Sequence, residues 1–166
     1  MYANFDIDAS SVTRRLQSLQ ALGADMTPAM RDVAALGESQ TRMRFRTQKA
    51  PDGQKWKPSL RAIVTGGRTL TKDAHLGDSI SNDYGHDYAM WGANRIYAAI
   101  HQFGGTIRGK SGKLKFRLPG GQFVQVDTVT IPARPFLGIS SSDENAILTA
   151  IQRRITAVSG GNAHAG

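Results

Sequence analysis

The stretch IPARPFLGIS, residues 131–140, constrains the chain more than any other. It follows a run that reads as a strand and precedes one that reads as a helix, yet belongs to neither. Pro132 and Pro135 carry no amide donor, so they end the strand at Ile131 and block further pairing. Gly138 permits a turn or a close backbone approach. Ser141, followed by Glu144, has the spacing of a capping box that opens the final helix. Phe136 and Leu137 are then expected in the core, and Arg134 is expected to bridge to a neighbour or stack on an aromatic ring. Pro132, Arg134, Pro135, Phe136 and Gly138 therefore read as a structural corner that sets where the last helix leaves the sheet.

The flanking patterns supply the elements this corner joins. Val12, Leu16, Leu19 and Leu22 recur at helical spacing over residues 10–22. Thr27–Pro28 predicts a second helix start, a cap followed by proline at the first helical position. Met30, Val33, Gly37, Thr41 and Phe45 line one face of it as far as about Gln48, and Gly37 implies close packing or a break. Residues 78–83 and 87–92 read as a hairpin. Ile96, Ala99 or Ile100, and Phe103 suggest a short helix over 95–103. Leu114, Phe116 and Leu118 alternate with Lys113, Lys115 and Arg117, and Phe123 to Ile131 reads as the return strand. Ile147, Leu148, Ile151, Ile155 and Val158 form the apolar stripe of the last helix, with Arg153 and Arg154 near its C-terminal end, where the helix dipole favours cations. The expected fold class is α+β: a small antiparallel sheet packed by N-terminal and C-terminal helices. A single domain over 1–158 would carry a long basic loop at 49–72, a protruding basic hairpin arm at 108–128 and a flexible tail at 159–166. Four glycine pairs among 18 glycines fit long connections of this kind.

Composition narrows the chemistry. The chain has no cysteine, which excludes disulfides, thiolate nucleophiles and Cys-based zinc sites. Its first residues have neither a basic segment nor an apolar core, so a signal peptide is not expected. No apolar run approaches a membrane span, so a soluble protein with no membrane partner is expected. No phosphate-binding glycine loop, GxSxG or HExxH occurs. His75, Asp78, His86 and Asp87 match no metal-ligand spacing and read as solvated loop residues. His101 reads as a hydrogen-bonded packing histidine. An enzyme is not expected, and no cofactor or metal is implied.

The net charge of +8 is unevenly spread. Nine Lys or Arg lie between Arg42 and Lys72, opposed only by Asp52, and a second run holds Arg108, Lys110, Lys113, Lys115 and Arg117 with no acid. Two basic segments on a mildly acidic body suit an acidic partner. Trp56 adds an aromatic of the kind found at interface anchors. The assembly-interface candidates are Trp56, Lys55, Lys57, Arg61, Lys113, Lys115 and Arg117. Protein assembly ranks ahead of a solvated surface, and both rank ahead of sequence-specific DNA binding, which usually shows interleaved aromatics or a known module.

Four segments in order, FRTQKAPDGQKWKPSL (45–60), LGDSI (76–80), YAAIHQFGG (97–105) and IPARPFLGIS (131–140), resemble the phage virion morphogenesis family. That family includes tail completion proteins of myophages and the G-type morphogenesis proteins of Mu-like phages. The resemblance runs from about Arg44 to about Val158 and takes in the motif helix with His101, Gln102, Phe103 and Gly104. It implies a structural protein of the head–tail junction, made in the host cytoplasm and retained in the virion. It also implies a sixfold ring of like subunits between head-side connector proteins and the tail tube or tail terminator, with genomic DNA in the channel. The alternatives are a tail terminator capping the tail tube and, from another class, a DNA-binding accessory protein.

Overall fold

The computed structural model describes residues 25–110 and 112–160, with side chains as far as Ile155. The helix expected at 10–22, the stripe residue Val158 and the tail after residue 160 lie outside that description. In chain order the elements are α1 (Thr27–Thr47), α2 (Leu60–Thr65), α3 (His75–Asp78), β1 (Ile80–Tyr84), β2 (Ala89–Ala93), α4 (Ala98–Phe103), β3 (Gly105–Arg108), β4 (Leu114–Arg117), β5 (Phe123–Val126), β6 (Thr128–Ile131) and α5 (Ser141–Gly160).

The fold is α+β, with antiparallel strands packed by helices, but among the described residues the strands do not form one sheet. They make three two-stranded ladders, β1–β2, β3–β6 and β4–β5. Helix α1 buries the face expected of it: Met30, Val33, Gly37, Thr41 and Phe45, together with Ala29, Ala34 and Arg44. Gly37 is there for close packing. The Trp91 ring of β2 lies directly on it, and a Cβ would overlap the indole. The helix starts one residue earlier than expected, at Thr27 rather than Pro28. Met26 occupies the cap position, and Asp25 Oδ1 accepts from the Thr27 amide at 3.0 Å. Gln48, in the left-handed conformation at φ 58°, ends the helix.

Helix α5 crosses α1 and buries Ile147 and Ile151 against Met26, Ala29, Met30 and Val33. The capping box exists, but one residue earlier than its Ser141–Glu144 spacing suggested. Ser140 Oγ accepts from the Asp143 amide at 3.2 Å, and Asp143 Oδ2 accepts from the Ser140 amide at 2.8 Å. Aspartate, one methylene shorter than glutamate, still reaches the Ser140 amide, and the buried Arg44 holds the same carboxylate. A second core cluster gathers Phe45, Trp56, Leu76, Ile80, Ala98, Phe136 and Leu137, and Trp91 packs against both clusters.

Four other expectations change in part. Most of residues 49–72 is irregular, as expected, but the segment also carries α2 and is tied down at both ends. Lys49 and Lys55 bridge across the turn at Asp52–Gly53, and Ser59 caps α2 by accepting from the Ala62 amide at 3.1 Å. Gln48 then pins the far end of the segment, accepting from the Thr69 amide at 2.6 Å and donating to the Thr69 carbonyl at 3.0 Å. Helix α2 buries none of its residues, so it left no apolar periodicity to read. Helix α4 begins at Ala98 and faces inward with Ala98 and Gln102, while Ile96 is 86% and Phe103 65% exposed, the reverse of the expected face. The arm begins at residue 105, not 108. Its base pairs Gly105 with Ile131 through Arg108 with Thr128, and its tip pairs Leu114 with Val126 through Arg117 with Phe123. The expected continuous return strand is interrupted at Asp127. At the root of the arm Gly104, at φ 71°, turns the chain from α4 into β3. A Cβ there would come 2.7 Å from the Ala133 nitrogen.

Candidate assembly site

Residues 132–138 have no regular structure, so every buried backbone group in them needs a partner from elsewhere. Side chains from the other motifs supply most of these partners. Gln102 Oε1 accepts from the amides of Phe136 at 2.9 Å and Leu137 at 3.0 Å, and its Nε2 donates to the Leu137 carbonyl at 3.0 Å. Trp56 Nε1 donates to the Pro135 carbonyl at 2.8 Å. Arg44 Nη1 donates to the carbonyls of Phe136 and Gly138, both at 2.9 Å, while its Nη2 pairs with Asp143 of α5. The Arg134 amide donates to the His101 carbonyl at 2.7 Å, and Arg134 Nε to the Lys57 carbonyl at 2.7 Å. Gly138 allows this closeness: at φ 148°, its missing Cβ would sit 2.6 Å from Pro51 Cγ.

The corner is thus a hub that joins α1, the 49–57 turn, α4 and α5. Phe136 is fully buried beneath it, its ring centroid 5.4 Å from that of Phe45, and Trp56 stands edge-on to Phe45 at the same separation. Burial holds the Arg44 guanidinium below its usual basicity, and the Asp143 carboxylate opposes that shift. A buried pair of this kind is tolerated because hydrogen bonds from the guanidinium and to the carboxylate are also satisfied.

The hub corrects two expected roles. Trp56 is 5% exposed and belongs to the core, so it is no surface anchor. Arg134 is equally buried and bonds within its own chain, so it neither bridges to a neighbour nor stacks on a ring. His101 also departs from expectation, because its buried Nδ1 has no hydrogen-bond partner, although the ring stands edge-on to Tyr97. Burial, then the Arg134 charge, lowers its pKa below the usual 6.5. Lys55, Lys57, Lys113, Lys115 and Arg117 are exposed, the first two beside the 49–55 turn and the last three near or on the tip of the arm. Arg61 donates to the Arg68 carbonyl and so closes α2 onto its own connection. Among the described residues no group of three His, Asp or Glu could hold a metal ion.

Sequence reasoning missed Arg44 and Asp143. The signal was present, since Arg44 falls on the same helical face as Gly37 and Thr41. A cation on an apolar face calls for a buried acid.

Three of the four segments that carried the family resemblance, 45–60, 97–105 and 131–140, meet at the hub, and a model of the Phage virion morphogenesis family matches residues 7–156. The chain belongs to the phage virion morphogenesis family. It is 34% identical over 166 residues to protein G of Escherichia phage Mu, named for capsid assembly, covering 93% of this chain and 97% of that protein. It is 34% identical to the Mu-like prophage FluMu G protein 2 of Haemophilus influenzae, over 87% of this chain and 89% of the relative. The FluMu G protein 1 of the same organism is 26% identical over 94% of this chain and 97% of the relative. No solved structure matches. In this member of the morphogenesis family, Gln102, Trp56 and the residues around Phe136 are scaffold, and the exposed charge lies on the elements that the scaffold holds out.

Proposed function

We propose that this chain is a structural, non-catalytic subunit of the phage neck that completes the tail and joins it to the DNA-filled head. Its place would be the head–tail junction of the virion, reached by assembly in the host cytoplasm. The observation that carries the reading is the clamped corner. Its polar side chains are committed to backbone groups, and it orients an arm whose own side chains stay largely exposed. A subunit built this way gains buried area by meeting other chains, and like copies meeting head to tail close into a ring. Six copies would match the symmetry of a tail. The exposed lysines of the arm and of the 49–57 turn would face head-side connector proteins, the tail tube or terminator, or the DNA in the channel. The name of the Mu relative, which speaks of capsid assembly, agrees with a role in building the particle.

Electron microscopy of lysates from phage lacking the protein tests this. Full heads beside separate tails of normal length are expected. Overlong tail tubes would mean a tail terminator instead, and absent or misshapen heads would move the role to capsid formation.

A further inference from the structure

Two ribbons carry opposite charge, the arm and the β1–β2 pair that lies on α1. The arm, residues 105–131, holds Arg108, Lys110, Lys113, Lys115 and Arg117 against the single acid Asp127, a formal +4. Residues 73–94, which contain β1 and β2, hold Asp73, Asp78, Asp83 and Asp87 and no Lys or Arg, a formal −4.

Each ribbon also exposes large apolar side chains. In the arm, Leu114 pairs with Val126 and Phe116 with Val124, so these four side chains share one face, and Phe123 on the other is 54% exposed. A two-stranded ribbon with no layer behind it is marginal in water. In the acidic ribbon, the pairs Ile80–Ala93 and Asn82–Trp91 face α1, which leaves Ser81–Gly92 and Asp83–Met90 facing out. Met90 is 51% exposed on that outer face, and Tyr88 leans over it, donating to Asp83 Oδ2 at 3.2 Å. A Cβ at Gly92 would meet nothing within 4 Å, so this face is open to a flat partner. It therefore carries exposed Met90 and Tyr88 beside Asp83 and Asp87, and the arm carries exposed Phe123 on the face of Lys115 and Arg117.

We propose that the basic arm of one copy docks on the outer face of the β1–β2 ribbon of the next copy. This rests on the ring reading above and adds the surfaces that would close the ring. Phe123 would cover Met90 and Tyr88, while Lys113, Lys115 and Arg117, on the same face of the arm as Phe123, would meet Asp83 and Asp87. The two surfaces are different parts of one chain, so the contact is heterologous and repeats around a ring. Charge complementarity of this kind sets register and makes association salt-sensitive.

The test uses the full chain and two charge reversals at exposed positions, Lys115→Glu with Arg117→Glu in the arm, and Asp83→Lys with Asp87→Lys in the ribbon. Mass is read by size-exclusion chromatography with light scattering, and folding by circular dichroism and thermal melting. The wild type is expected to be an oligomer and each variant a folded monomer. An equimolar mixture should regain the wild-type mass. In an alternating ring each reversed arm meets a reversed ribbon, and each native arm a native one. A variant that keeps the wild-type mass, or folded variants whose mixture stays monomeric, overturns the docking while leaving the ring intact. A wild type that is monomeric at every concentration overturns the ring itself. An arm variant that loses retention on DNA but keeps its mass would assign the arm to nucleic acid instead.

Discussion

Arg44 sits one turn beyond Thr41 on the buried face of α1 and makes three contacts in two directions. Replacing it with alanine would strand the Asp143 carboxylate and two carbonyls in the core. The expected loss is about 3–5 kcal/mol of unfolding free energy by urea titration. Arg44→Lys should recover little, because an ammonium lacks the planar fork that reaches all three acceptors. Gly37→Ala should cost about 1–3 kcal/mol through the clash with Trp91, and should shift the tryptophan fluorescence of the folded state. His101 sets a pH dependence. Its folded pKa is depressed, so the unfolded chain takes up its proton at higher pH. Its contribution is therefore intact above the unfolded value of about 6.5 and falls as pH drops towards the folded value. Urea midpoints on either side of that range should differ in the wild type, and His101→Gln should flatten the difference. The size and spacing of side chains made Gly37 legible as a packing position. The Arg44–Asp143 pair was not, because the two residues meet across 99 positions of chain and neither pattern names the other.

At the scale of elements, periodicity worked where one face is buried and failed where the rule has no purchase. Helix α1 and the apolar stripe of α5 emerged because a packed helix must repeat its apolar residues every three or four positions. Helix α4 misled because it is short, and because its inward contact is a glutamine serving as a substitute strand for Phe136 and Leu137. Gln102→Leu should therefore release both amides. Faster hydrogen exchange at Phe136 and Leu137 is expected, with α1 core amides unchanged, and a stability loss of about 1–3 kcal/mol for each buried group left unpaired. Gln102→Glu keeps the acceptor and should lose less protection at those amides. The cap of α5 separates the two candidate serines. Ser140→Ala should cost about 0.5–2 kcal/mol, and Ser141→Ala much less.

At the scale of the whole molecule, the arm and the body are separable. Excising residues 109–127 and joining β3 to β6 through Asn-Gly, which suits a two-residue hairpin, should leave thermal stability within a few degrees of the wild type. The same variant should fail to assemble particles, read as loss of infectious phage with the protein still soluble. The sequence by itself determined the α+β class, the two main packed helices, the two hairpins, the split of charge between segments and the corner at 131–140. All of these follow from local rules, namely side-chain period, proline and glycine geometry, and the sign of neighbouring charges. Only the tertiary structure decided what the corner bonds to. It also put Trp56 and Arg134 inside rather than on the surface, and it left Ile96 and Phe103 outside. Those outcomes depend on which distant groups can satisfy a backbone that has no strand or helix partner of its own, and that geometry exists only once α1, α4 and α5 have packed.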